Sequence, residues 1–127
     1  MLALAAVSFV TLLSVARADG EWPQFRGPTG QGTSEARGLP LTWSESENIK
    51  WKTEIPGEGH SSPVVSGNLV WLTSSPDKGK TRHVLCLDFE TGKITRDLAL
   101  FTCDEPETCH AMNSYATPTP VLEGDRV

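Results

Sequence analysis

The sequence predicts an all-β chain built from repeated strand hairpins, and three observations carry that prediction. Ser62-Pro63-Val64-Val65-Ser66-Gly67-Asn68-Leu69-Val70 recurs as Thr119-Pro120-Val121-Leu122-Glu123-Gly124-Asp125-Arg126-Val127. Each copy reads as a small hydroxyl residue, Pro, two apolar residues, a polar residue, Gly with Asn or Asp, and the start of a second strand. Residues 62–100 divide into four short apolar or alternating runs separated by turn residues, and no segment beyond residue 18 sustains a helical period. Repeated hairpins at this spacing point to a β-propeller or a β-array. The second copy is incomplete at Val127, so the sequence reads as the front of a larger repeat protein.

The first element is a processing segment. Residues 2–15 are apolar, and Ala16-Arg17-Ala18 supplies a small-x-small cleavage site before Asp19. This pattern predicts a secretory signal peptide over residues 1–18 and a secreted or periplasmic mature chain. The apolar run falls short of the roughly 20 residues a spanning helix needs, so no transmembrane anchor is expected after its removal. A buried helix or membrane anchor is the competing reading, since no Lys or Arg precedes the run.

Residues 19–48 form a Pro/Gly-rich arm. Pro23, Gly27, Pro28, Gly30, Gly32, Gly38 and Pro40 interrupt any regular element. Trp22, Phe25 and Trp43 give the arm apolar bulk, which suits a segment laid over an apolar surface better than a free linker.

Strands follow. Residues 49–55 alternate apolar and polar, as a half-buried strand does. Residues 62–65 and 69–73 make a hairpin through Ser66-Gly67-Asn68, where Gly supplies the positive φ of a tight turn. Residues 69–72 and 83–89 are apolar on both faces, the signature of strands covered from both sides. Glu90-Thr91-Gly92-Lys93 turns the chain into a fourth strand over residues 94–100.

Charge and cysteine usage narrow the function classes. The formal net charge is −5, and removing residues 1–18 takes away only Arg17 among the charged side chains. An acidic chain lacks the basic footprint of a nucleic-acid binder. Cys103 and Cys109 flank a polar loop containing Pro106, and in an exported chain they are candidates for a disulfide whose geometry sequence alone leaves open. Cys86 sits within an apolar strand and reads as a small hydrophobe. Cys109-His110 fails the spacing of haem attachment, and no Cys pair has zinc-finger spacing.

Two stretches carry a family resemblance. Cys86-Leu87-Asp88-Phe89-Glu90-Thr91-Gly92-Lys93-Ile94-Thr95-Arg96 resembles the blade motif Ala-x-Asp-x-x-Thr-Gly-x-x-x-Trp of pyrroloquinoline-quinone-like (PQQ-like, quinoprotein-type) β-propeller repeat proteins. It matches at Asp88, Thr91 and Gly92 and departs at Cys86 and Arg96. Trp22-Pro23-Gln24-Phe25-Arg26-Gly27-Pro28, followed by a strand and Ser61-Ser62-Pro63-Val64-Val65, is similar to an N-terminal signature of exported members. The resemblance implies propeller blades of four antiparallel strands. In this chain that means about one complete blade, near residues 62–100, plus parts of two others within 49–127, the later one starting at about residue 116. Residues 49–55, with Trp51 as a docking residue, would be an outer strand.

The resemblance further implies an exported binding or scaffold module whose propeller face engages a protein partner or a small ligand. Its alternative is a PQQ-dependent alcohol or sugar oxidoreductase, with quinone, calcium and active site in blades outside this sequence. The adjacent cysteine pair of quinoprotein alcohol dehydrogenases is missing here, and no catalytic carboxylate can be placed. An envelope assembly scaffold is a third class. Fold alone decides none of these. Loops entering the inner strands line a propeller's channel mouth, so His60 and Ser61 from one copy, and His110, Asn113, Ser114 and Tyr115 from the next, are candidate pocket residues. The preferred reading of the same residues is exposed loop groups making local turn bonds. Trp22, Trp43, Trp51 and Trp71 read as packing residues, with sugar stacking as the alternative.

Overall fold

The computed structural model describes residues 20–127. The predicted signal peptide, residues 1–18, lies outside them. The described chain is all-β: β1 (Val64–Ser66), β2 (Leu69–Ser74), β3 (Thr81–Asp88) and β4 (Ile94–Thr102) form one antiparallel sheet in the order β1-β2-β3-β4. No helix among the described residues is long and apolar enough to cross a membrane.

The turns explain why neighbouring strands pair. Ser66 pairs with Leu69, leaving Gly67 and Asn68 as a two-residue turn. Gly67 has φ 57° while Asn68 keeps a negative φ, the pattern of a II′ turn that matches strand twist. The β3–β4 turn is held by one carboxylate. Asp88 Oδ1 accepts the Thr91 N–H at 2.8 Å, the Thr91 hydroxyl at 2.8 Å and the Glu90 N–H at 3.1 Å. Asp88 Oδ2 takes the Asn68 side-chain amide at 2.7 Å, which ties this turn to the first one. These donors, led by the Thr91 hydroxyl and N–H, hold the Asp88 carboxyl below the ordinary aspartate range.

Each face of the sheet carries its own apolar cluster. Val64, Trp71, Val84 and Cys86 are buried on one face, where Leu122 packs against them. Val70, Leu85 and Leu87 are buried on the other, beneath Trp51, Ile55, Leu72 and Ile94. Burying one such aliphatic side chain contributes about 1.5–3 kcal/mol. The exposed Lys50–Glu90 ion pair at the rim contributes at most about 1 kcal/mol. Packing of the two faces, more than surface charge, therefore holds the sheet.

Residues 49–55 depart from the strand expected there. They keep the alternation, with Trp51, Thr53 and Ile55 half-buried and their neighbours exposed, yet pair with no strand. They grip the sheet through side chains instead. Trp51 Nε1–H donates to the Phe89 carbonyl at 2.9 Å, and the Thr53 hydroxyl donates to the Gly92 carbonyl at 2.7 Å. The arm does the reverse. It contains no strand of its own, but Trp22 pairs backbone to backbone with Val65 on the free edge of β1, at 2.8 and 2.9 Å.

Gly92 sits where the turn and the Trp51 ring meet. Its φ is 71°, and a Cβ there would lie 2.4 Å from Trp51 Cδ2. Gly67 also has positive φ, but nothing lies within 4 Å of its missing Cβ. Gly67→Ala is expected to cost about 1–2 kcal/mol, the left-handed penalty alone. Gly92→Ala should cost clearly more, because the ring must also move. Urea midpoints of the two variants test this, and equal losses would refute the Trp51 contact. The Asp88 carboxyl has a depressed folded value, so its contribution is full above the ordinary aspartate pKa and is lost as pH falls through the folded one. Unfolding midpoints below about pH 4 should therefore drop less steeply in Asp88→Asn than in the wild type.

Candidate functional site

The two repeat copies meet where the loop before β1 lies against residues 113–119. The contacts are mostly hydroxyl to backbone. His60 N–H donates to the Ala116 carbonyl at 3.1 Å and to Ser114 Oγ at 3.0 Å. Ser61 N–H also reaches the Ala116 carbonyl, at 3.1 Å. Ser62 N–H donates to Thr119 Oγ1 at 3.0 Å. From β2, the Thr73 hydroxyl lies 3.0 Å from the Pro118 carbonyl and 3.3 Å from that of Ala116. Ala116 is buried at the centre of this junction.

The structure brings the two candidate loops together but spends their side chains on structure. Ser61 Oγ points inward and accepts the Thr73 N–H at 2.9 Å. Asn113 Oδ1 accepts the Thr117 hydroxyl at 3.0 Å, and the same hydroxyl faces the Ser114 carbonyl at 2.9 Å. His110 Nδ1 accepts the Met112 N–H at 3.2 Å, within its own turn. The Tyr115 hydroxyl donates to the Glu107 carbonyl at 2.9 Å, and its ring lies over Gly79. Ser61 and Ser114 thus act as hydrogen-bond acceptors for backbone groups. Neither is paired with a base that would make it a nucleophile.

Cys103 and Cys109 are half-buried free thiols, so the bridge considered for them is not made in this structure. Each end of their loop has another anchor. Cys103 N–H donates to the Lys80 carbonyl at 2.7 Å, extending the β4 ladder, while the Glu107 carbonyl is held by Tyr115.

Sequence reasoning passed over two groups on the sheet. His83 Nδ1 meets Asp97 Oδ1 at 2.5 Å, and His83 Nε2 lies 3.1 Å from the Thr81 hydroxyl. Thr81 in turn binds Asp77 through its N–H and its hydroxyl, at 2.7 and 3.0 Å. The Thr81 N–H is the main reason the Asp77 carboxyl lies below its ordinary range. This relay fastens the 77–81 turn to β4. By strand alternation it lies on the Leu85 face, opposite Arg82. Arg82 stacks on Tyr115, its guanidinium carbon 5.9 Å from the ring centre. The β3–β4 register would have revealed Asp97, but register is unknown before the bulges are seen.

Among the described residues no three His, Cys, Asp or Glu side chains gather where they could share a metal ion. None of the protein-family models, curated proteins or solved structures compared with the chain matches it.

The junction makes a direct prediction. Ser61→Ala leaves the Thr73 N–H without its acceptor in a half-buried site and should cost about 1–3 kcal/mol. His60→Ala removes an exposed imidazole and should stay within about 0.5 kcal/mol of wild type. Denaturant titration of both variants checks the contrast, and a neutral Ser61→Ala would remove the hydroxyl from the account of the junction.

Proposed function

We propose that this chain belongs to an exported PQQ-like β-propeller repeat protein that works as a binding or scaffold module. One observation carries the reading: equivalent positions of the two sequence copies touch. Ser62 and Thr119, 57 residues apart, occupy the same place in their repeats and are hydrogen-bonded to each other. The local shape repeats as well. Glu123 pairs with Arg126 as Ser66 pairs with Leu69, and Gly124 has φ 60° where Gly67 has 57°.

Contact between like positions is what a stacked repeat array requires, because each unit buries its apolar face on the next. The sheet supports this reading by being apolar on both faces. The second copy contributes Leu122 to one face, and residues 49–55 cover the other. In such an array the free edge of β1 faces the axis. Here the arm occupies that edge and also reaches the second copy, with Leu122 N–H donating to the Pro23 carbonyl at 2.8 Å. Val65 and Leu122 are equivalent positions, so the arm binds the same place in both copies. The hydroxyl-to-backbone junction is built for rigidity, which suits a scaffold better than a reaction centre.

Export and the scaffold role are tested together. A C-terminally tagged chain expressed in its native cell should be recovered outside the cytoplasm with Asp19 as its first residue. Mild solubilisation should retain a stoichiometric partner, and Trp22→Ala, which loosens the arm, should weaken that retention. A cytoplasmic chain starting at Met1, or one that purifies alone under the same conditions, would overturn the reading.

A further inference from the structure

Four side chains between the β2–β3 turn and β4 stand in one line. Asp97 Oδ1 meets His83 Nδ1 at 2.5 Å, His83 Nε2 meets the Thr81 hydroxyl at 3.1 Å, and that hydroxyl meets Asp77 Oδ2 at 3.0 Å. Each link needs one hydrogen. A carboxylate only accepts, so the Thr81 hydroxyl gives its hydrogen to Asp77. Its oxygen is then an acceptor, and His83 Nε2 must donate to it. At the far end Asp97 is also a carboxylate, so His83 Nδ1 must donate as well. A neutral imidazole has a single N–H and cannot make both bonds. The line closes only when the ring carries a second proton.

The ring is the right place for that proton. An ordinary histidine binds one at about pH 6.5, an ordinary aspartate only near about pH 3.9. Asp77 is a weaker proton acceptor still, because the Thr81 N–H, foremost, holds its carboxyl below the ordinary range. Asp97 is 42% exposed, so water supports its charged form, while the His83 side chain is 19% exposed and depends on the line for its partners. No other charged group among the described residues bonds to the ring. Ser74, opposite His83 on β2, is uncharged and donates to the Pro56 carbonyl. Arg82 engages the Tyr115 ring. Lys78 and Lys80 of the turn, Glu54 and Glu58 of the segment over the sheet, and Arg96 of β4 are exposed.

We infer that His83 is a proton-operated latch: as the imidazolium it ties the β2–β3 turn to β4, and on losing a proton it releases one link of the line. Without that proton Nε2 turns a lone pair toward the Thr81 oxygen. Either the hydroxyl swings from Asp77 to the ring, or the ring lets go of the hydroxyl, and in both cases a bond of the closed line is lost. The closed form holds one more proton than the open one, so it gains as pH falls and is lost as pH rises.

The turn passes this change on. The Gly79 N–H is held by Ser75 Oγ at 2.9 Å, and the Tyr115 ring lies where a Cβ on Gly79 would sit. Tyr115 in turn holds the Glu107 carbonyl at 2.9 Å. Loosening the turn therefore loosens the support of the second-copy loop. The latch uses one sheet and its own turn, so it does not depend on closure of a ring. Its test is separate from the retention experiment above, and either can fail without the other.

The test is nitrogen-15 NMR of the full chain across a pH titration. On the acid side of about pH 6.5 both His83 ring nitrogens should carry protons and the Thr81 amide should be protected. Raising the pH until one ring proton leaves should lower that protection, measured against intrinsic exchange at each pH. The expected fall is about tenfold or more, the scale of one lost hydrogen bond to a charged group. The Tyr115 ring resonances should move in the same step. Thr81→Val keeps the backbone bond to Asp77 but cuts the line, and should show no step. His83→Gln, which cannot titrate, should show none either, with the β2 and β3 resonances as the check that both variants are folded. A ring with a single proton throughout, a Thr81 amide indifferent to the titration, or a step that survives in either variant would overturn the proposal.

Discussion

β3 is apolar in both directions, and a single four-stranded sheet has no way to shelter such a strand. Val84 and Cys86 point to one side and Leu85 and Leu87 to the other, and all four are buried. The rest of the molecule is arranged to satisfy that demand. Leu122 arrives from the second copy on one side, while Trp51 and Ile55 arrive from the preceding segment on the other. A strand covered from both sides is the usual condition in layered folds, where neighbouring layers supply the cover. Here the cover comes from irregular segments, so their placement is as consequential as the hairpins themselves.

The polar interactions follow from that packing. A segment brought onto the sheet by apolar contact exposes backbone donors and acceptors that must find partners. Small hydroxyl side chains satisfy them at short range: Ser61 for Thr73, Ser114 for His60 and Thr119 for Ser62. Among the described half-buried and buried residues, no buried side-chain polar atom is left without a partner. The arm obeys the same rule with a carboxylate. Glu21 accepts the Gly67 N–H at 2.8 Å, and that donor is the chief reason its carboxyl lies below the ordinary glutamate range.

The all-β class and the four antiparallel strands were legible because their signals are local. Gly67-Asn68 fixes a two-residue turn, and the apolar runs of β2 and β3 have the length and period of strands. The strand limits moved by only a few residues. What lay hidden was long-range. Residues 49–55 have a strand's alternation, but alternation records which side chains are covered and says nothing about whether a ladder exists. Nothing in Trp22-Pro23 marks it as the partner of Val65. At the junction, the repeat places residues 60–61 and 113–115 ahead of equivalent strands, and the two loops lie against each other. Their side-chain directions depend on loop geometry that no period encodes. Arg82 went unnoticed because its neighbours in space, Tyr115 and Phe101, are remote in sequence.

The arm's position has a consequence for the order of assembly. A chain is made from its N-terminus, so Glu21, Trp22 and Pro23 exist before either of their partners. The hairpins join neighbours in sequence and can close early, since short loops cost the least entropy to form. The arm must wait for the β1 edge, and its bond from Leu122 forms only once the second copy has been made. An early-made segment of the described chain is thus among the last to settle, and β1 stays an open edge until it does. During that interval the chain is most exposed to pairing with the wrong strand.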